Sequence, residues 1–340
     1  MRIADESQLE QLLSQPREAD REALRSLDAD LLILGAGGKM GPSLARLARR
    51  AGVEAGVRAR VIAVARFSNP SLAEALQSDG IETITADLLA PGALDSLPGC
   101  PNVIFMAARK FGTGGQEGLT WAMNAYLPGR VAERFARSRI VAFSSGNVYP
   151  LTPVALGGSV ETDPVAPVGE YAQSALGRER MFEHFSAANG TKIALLRLNY
   201  AIDLRYGILL DIGEKVFARR PVDVSMPAVN VIWQGDANSI CLRAFALASS
   251  PPFVLNVTGP ETVSVRRLAR EFALRFQVDP VIEGSEQTTA LLNNAALCHK
   301  LFGYPSVSLG RMIDWAAEWI ARGGSTLGKP THFEQREGRF

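Results

Sequence analysis

The tract Leu31-Leu-Ile-Leu-Gly-Ala-Gly-Gly-Lys-Met-Gly-Pro42 carries the residue types and spacing that can do chemistry with a phosphate. A short apolar run enters a glycine turn that opens a helix, and such a turn aims backbone N–H groups and a helix N-terminus at an anion. Gly35, Gly38 and Gly41 recur every third residue, with Lys39 and Met40 between the last two. Glycine suits a tight turn, close approach of backbone to a pyrophosphate, and close helix–strand packing. Beyond the turn, Leu44, Leu47, Ala48 and Ala51 form an apolar helical stripe, and Pro42 is tolerated in the first turn. The tract predicts dinucleotide binding.

Composition narrows the rest. The chain has 340 residues, 47% hydrophobic and 21% charged, with a net charge of +1. That is enough to bury a large core, and it gives no electrostatic reason to expect nucleic acid or an anionic membrane as partner. The apolar runs are strand-length, far short of a membrane span, and residues 1–28 are too polar for a secretory signal. Cys100, Cys241 and Cys298 are isolated, as are His184, His299 and His332, so no metal site is expected, and reduced thiols fit a cytoplasmic protein.

The elements that must position the turn are an alternation of strands and helices. Leucines among charges at 6–27 suggest a helical extension over residues 1–28. Strands are expected at Leu31–Leu34, Arg60–Ala65, Glu82–Ala86, Asn102–Ala107, Arg139–Ser144 and Lys192–Leu198, with helices at about 119–136 and 171–188 between the later ones. Continuously apolar strands alternating with helices indicate an α/β fold, a Rossmann-type doubly wound parallel sheet. It would span 29–200 and be joined by 229–250. Residues 201–323 are expected to be mainly a smaller C-terminal substrate-binding cap, and 324–340 a tail, wrapped or partly disordered.

Several tracts in order resemble the extended short-chain dehydrogenase/reductase superfamily, in its nucleotide-sugar epimerase/dehydratase branch. They are Gly35-x-x-Gly38-x-x-Gly41, Thr85-Ala-Asp-Leu88, Phe105-Met-Ala-Ala108, Phe143-Ser-Ser-Gly-Asn-Val-Tyr149, Tyr171 at a helix start, Arg197-Leu-Asn-Tyr200, Val231-Ile-Trp-Gln-Gly-Asp236 and Leu255-Asn-Val-Thr-Gly259. The glycine turn also resembles the start of dihydrodipicolinate reductases, but their paired-histidine motif is missing. The resemblance covers roughly 29–323. It implies that Asp87 and Leu88 contact the adenine end of a dinucleotide and that Ala107, Ala108 and Arg109 line it. Ser145 would polarise the reacting oxygen, Tyr171 would act as acid/base, and Asn124 would order the site. Asn147, Asn199, Trp233 and Gln234 are expected near a sugar-like substrate. Relatives commonly dimerise through the helices at 119–136 and 171–188, so the resemblance admits a homodimer and leaves the oligomeric state open.

Two departures from the family pattern matter. The superfamily's Tyr-x-x-x-Lys is here Tyr171-Ala-Gln-Ser-Ala175. An ordinary tyrosine, with a pKa of about 10, is ionised roughly once in a thousand at pH 7, a deficit of about 4 kcal/mol that the lysine helps to remove. Lys110 and Arg109 after the fourth strand are the nearest surrogates by motif position, and Arg178 shares the helical face of Tyr171. At the end of the second strand, where NAD-preferring relatives carry a carboxylate, stand Ala65 and Arg66. Arginine can grip a 2′-phosphate that a carboxylate would repel, so NADP is favoured and NAD remains admissible. The sequence therefore reads as an NAD(P)-dependent oxidoreductase or epimerase on a sugar-like or polyhydroxylated molecule. A non-catalytic NADP sensor is the alternative that Ala175 motivates.

Overall fold

The computed structural model describes residues 2–110, 114–329 and 331–338. Seven strands form one parallel sheet: β1 (Leu31–Leu34), β2 (Val61–Ala65), β3 (Glu82–Thr85), β4 (Asn102–Phe105), β5 (Arg139–Ser145), β6 (Ile193–Leu198) and β7 (Phe253–Val257). Their spatial order is β7-β6-β5-β4-β1-β2-β3. Every pairing is parallel, with Leu31 opposite both Val61 and Asn102. The order reverses between β1 and β4, the switch point beyond whose carboxyl ends open α/β sheets bind ligands. β1, β2 and β4 are buried at every position, as two-sided coverage demands, whereas edge strand β3 is partly exposed and carries Glu82 and Thr83.

Two helices precede the sheet, α1 (Glu6–Leu13) and α2 (Glu18–Leu27); α3 (Gly41–Glu54) and α4 (Pro70–Ser78) follow β1 and β2. Leu24 and Leu27 of α2 pack with α3 on one face of the sheet, beside Ile33, Ala63 and Ile104. Leu32, Leu34, Ile62 and Phe105 point to the other face. There lie α5 (Glu117–Trp121), α6 (Leu127–Arg134) and α7 (Gly169–Asn189), the last through Phe182. Residues expected as one helix over 119–136 are broken by a π-helical turn at Ala122–Tyr126, centred on Asn124. The stretch Arg109 to Ser174 shows why: Asn124 bonds both the backbone N–H and the carbonyl of Arg109, and it also bonds Ser174.

A second core gathers α8 (Ile208–Phe217), α10 (Val265–Phe276) and α12 (Leu309–Ala321), with Leu9 and Leu13 of α1. Between the two cores run α9 (Gln234–Arg243) and α11 (Ala296–Phe302). Asp236 on α9 takes an ion pair from Arg17 and caps the backbone of Ser306 and Val307. It fastens the N-terminal helices to the main body.

Candidate active site

The glycine turn meets the physical demands of a phosphate cradle. Gly35 has φ +93°, and a Cβ there would lie 2.5 Å from the Ala107 nitrogen. A Cβ on Gly41 would lie 2.2 Å from the Ala36 carbonyl oxygen. These two glycines are required by the protein's own packing. Gly38 is not, because a carbon there would sit 3.5 Å from the Gly35 carbonyl, an ordinary contact. No side chain caps α3, and its first turn holds no acidic residue, so nothing on those elements competes with an anion for its N-terminal amides. The residues present fit a dinucleotide. Arg66 stands exposed at the end of β2, and Asp87, also exposed, turns the chain after β3 by accepting from the Leu89 amide at 3.0 Å. Leu88 is buried beside it, Ala107 packs on Gly35, and Ala108 is exposed.

Beyond the ends of β5 and β6 lies a cavity of about 170 Å³. Its walls include Ser145, Asn147, Tyr171, Asn199, Lys110, and Lys39 and Met40 of the glycine turn. Strand β5 delivers Ser145, whose hydroxyl donates to the Asn147 side chain at 3.1 Å and accepts from the Asn147 amide at the same distance. The first turn of α7 delivers Tyr171. Lys110 arrives from the loop after β4, its ammonium 5.6 Å from the Tyr171 ring centre and 5.9 Å from that of Tyr200. Lys39 turns its ammonium away from the glycine backbone, donating to the Ala201 carbonyl at 2.6 Å and lying 4.3 Å over the Tyr206 ring. Burial pushes each lysine down to about 8, and for Lys39 the pull of Asp203 opposes this. Ala175 is fully buried against Val148 and Tyr149.

The other expected site residues fall elsewhere. Asn124 is buried away from the cavity wall and accepts from Arg178 at 3.0 Å. Arg178 also donates to the Phe143 carbonyl at 2.7 Å, which binds α7 to β5 between Tyr171 and Ser145. Arg109 presents its guanidinium to Gln116 at 2.6 Å rather than to the cavity. Trp233 lies in the second core against Trp315, ring centres 5.3 Å apart, and Gln234 is buried with its amide on Ser43 at 3.0 Å. Neither lines the cavity, because the strand Ile232–Trp233 pairs with Ala201–Ile202 and turns both side chains inward. Asn199 does line it, yet its amide donates to Asn230 at 2.7 Å. Sequence reasoning missed Ser144, Tyr206 and Thr331 as wall residues; Tyr200 was within a quoted motif, but its left-handed backbone (φ +45°) was not foreseen.

A buried ion pair supports these walls. Arg197 on β6 binds Glu179 on α7 at 2.7 Å, with 6% and 0% of their side chains exposed. Glu179 also accepts from Ser144 at 2.5 Å, and Arg197 donates to the Tyr149 hydroxyl at 2.7 Å. Among the described residues no group of His, Cys, Asp and Glu is placed to hold a metal ion, and no helix is long and apolar enough to cross a membrane.

Comparison with known proteins agrees with this fold. The chain is similar to the UDP-glucuronic acid 4-epimerase of Bacillus cereus, solved with UDP-glucuronic acid and NAD: 16% identity, TM-score 0.70, covering 86% of this chain and 99% of that one. It is similar to the UDP-glucose 4-epimerase of Thermotoga maritima, solved with UDP-glucose, at 15% identity and TM-score 0.68 over the same shares. A short-chain dehydrogenase/reductase superfamily protein of Agrobacterium tumefaciens with bound NAD matches at 17% identity and TM-score 0.70, covering 86% of this chain and 97% of that one. No curated protein sequence matches. The model of the NAD dependent epimerase/dehydratase family matches residues 31–201, half of the chain, and the chain belongs to that family.

Proposed function

We propose that this protein is an NAD(P)-dependent oxidoreductase or epimerase acting on a sugar-like or polyhydroxylated small molecule. One observation carries the reading: Ser145, Tyr171 and the Lys110 ammonium share one cavity with Lys39 and Met40 of the glycine turn. A pure cofactor sensor has no need of a hydroxyl pair facing a cation beside its dinucleotide turn.

The turn from Gly35 to Gly41 would hold the pyrophosphate, with Asp87 and Arg66 toward the adenosine end. When bound, the nicotinamide supplies a hydride acceptor or donor. Tyr171 exchanges a proton between its Oη and the substrate hydroxyl, and Ser145 donates a hydrogen bond to the same substrate oxygen, favouring the carbonyl that forms there. Lys110 supplies from the β4 loop the positive charge that Ala175 does not supply from α7, favouring the tyrosinate during transfer. Asn124 and Arg178 are positioning residues, fixing α7 against β5 and the β4 loop. Arg66 favours NADP. Homodimerisation through the helices around α5–α7, and a cytoplasmic location, complete the proposal.

Calorimetry with NADP and NAD tests it, followed by a screen of sugars, sugar acids and sugar nucleotides read by nicotinamide absorbance and, because an epimerase returns the hydride to its substrate, by the configuration of the recovered sugar. Dinucleotide binding with hydride transfer on at least one polyol is the expected result. Binding without any transfer, unchanged by Lys110→Met, would favour the sensor.

A further inference from the structure

The cavity has a roof that the sequence did not announce. Thr331 lines it, and both the amide (2.8 Å) and the hydroxyl of Thr331 donate to Asp211 on α8. Phe333 is buried in the second core. Glu334 is close enough to the Tyr200 hydroxyl to act on it electrostatically. Arg336 donates to the Thr289 carbonyl at 2.7 Å, the Thr289 hydroxyl at 2.5 Å and the Ser225 carbonyl at 3.3 Å. Gly338 then rests on the start of α7: a Cβ on Gly169 would lie 2.4 Å from the Gly338 carbonyl, and one on Gly338 would lie 2.1 Å from that of Val168. The segment Thr331–Gly338 thus runs from the cap to within two residues of Tyr171, binding both sides of the cleft.

The space beneath is small and positive. Pockets for drug-sized ligands occupy roughly 300–1,000 Å³, against about 170 Å³ here. A sugar joined to a diphosphate and a nucleoside is larger than this space, and Thr331 of the segment is on its wall. Lys39 and Lys110 both reach the cavity, and no Asp or Glu is on its wall.

We propose that Thr331–Gly338 is a substrate filter: it admits a monosaccharide-sized polyol bearing one anionic group, which Lys39 and Lys110 attract, and excludes sugar nucleotides. The anionic group is a carboxylate or a phosphate, two sources of one recognition chemistry. This rests on the oxidoreductase or epimerase reading of the same cavity and narrows its substrate.

The test is calorimetry on the full chain, loaded with dinucleotide, using glucuronate, glucose 6-phosphate, glucose and UDP-glucose as probes. Glucuronate or glucose 6-phosphate should bind at least about tenfold more tightly than glucose, which is about 1.4 kcal/mol, and UDP-glucose should not bind. Which of the two binds identifies the anion. Arg336→Ala, and a chain ending at Leu327, should gain UDP-glucose binding by at least about tenfold with dinucleotide affinity unchanged; should the shortened chain fail to fold, Arg336→Ala decides alone. Lys39→Met should erase the preference for the anionic probes. UDP-glucose binding equally to the full chain and to Arg336→Ala overturns the filter. Equal affinity for glucose and both anions, or no binding of any probe, overturns the substrate class. Failure of dinucleotide to bind at all overturns the broader reading instead, and the UDP-glucose comparison then still decides the filter.

Discussion

The Lys110 ammonium lies 5.6 Å from the centre of the Tyr171 ring, carried there by the loop after β4 and not by the helix that bears the tyrosine. On the proposed reading, Lys110 supplies to Tyr171 the cation that position 175 does not. The consequence is kinetic. Lys110→Met keeps the aliphatic bulk and removes the charge, so kcat should fall about tenfold or more while dinucleotide affinity changes much less, since the charge acts mainly on the transition state. Steady-state kinetics against calorimetric affinity checks this, and equal losses in both would make Lys110 a binding residue only.

The same lysine makes a thermodynamic prediction. Its pKa is about 8 in the folded protein, against 10.5 for an ordinary lysine. Between these values the unfolded chain holds a proton that the folded chain has released, so this group's contribution makes stability rise with pH. Below about 8 the buried ammonium opposes folding. Lys110→Met should therefore be at least as stable as the native chain at pH 7, and that advantage should shrink as pH rises from about 8 toward 10. Urea unfolding at three pH values reads the difference directly; an advantage constant with pH contradicts the assignment.

Gly38 and Gly41 should separate ligand from fold. Gly38→Asp has room for its Cβ, so it should fold with near-native stability, and its carboxylate should abolish dinucleotide binding. Gly41→Ala puts a carbon 2.2 Å from the Ala36 carbonyl and should destabilise by about 1–3 kcal/mol through forced backbone shifts. Thermal unfolding paired with calorimetry distinguishes the two. A folded Gly38→Asp that still binds would remove the phosphate role of the turn.

Arg66 is exposed at the end of β2, free to meet a 2′-phosphate without any rearrangement of the core. NADP should bind more tightly than NAD by about 1.5–3 kcal/mol, roughly tenfold or more. Arg66→Ala should erase most of that gap and leave NAD affinity nearly unchanged. Equal affinities in the native chain would refute the preference.

The sheet was legible because β1 and β2 are apolar at every position and β4 at all but Asn102, the pattern that two-sided burial leaves in a sequence. The glycine turn, Ser145 and Tyr171 were read from motif spacing as lying at two strand ends and a helix start, and the structure has those elements there. Other parts depend on long-range contacts that spacing cannot express. The π turn exists because Asn124 serves Arg109, Ser174 and Arg178 together. Trp233 and Gln234 read as site residues from a motif, yet the pairing of their short strand with Ala201–Ile202 buries them. Thr331 sits in a polar tail without periodicity, and only the folded chain, which holds it on Asp211, brings it to the cavity wall.

The final prediction concerns Ala175 and the route by which this site differs from its family. In the folded protein Ala175 is fully buried against Val148 and Tyr149, and the Arg197–Glu179 pair is fixed to the same tyrosine. Lysine at 175 would press four methylenes into that contact and bring an ammonium toward a site already holding Lys110. Overpacking alone costs about 1–3 kcal/mol, and a buried unpaired charge adds more. Ala175→Lys should therefore lower stability by at least about 2 kcal/mol and reduce turnover on the true substrate. The double variant Ala175→Lys, Lys110→Met should recover part of that turnover if the two cations serve the same tyrosine, a coupling that a double-mutant cycle measures. Strictly additive losses would show that Lys110 and residue 175 act on different groups. A fully stable Ala175→Lys with new hydride transfer on simple sugars would instead mark the native site as one that had given up catalysis.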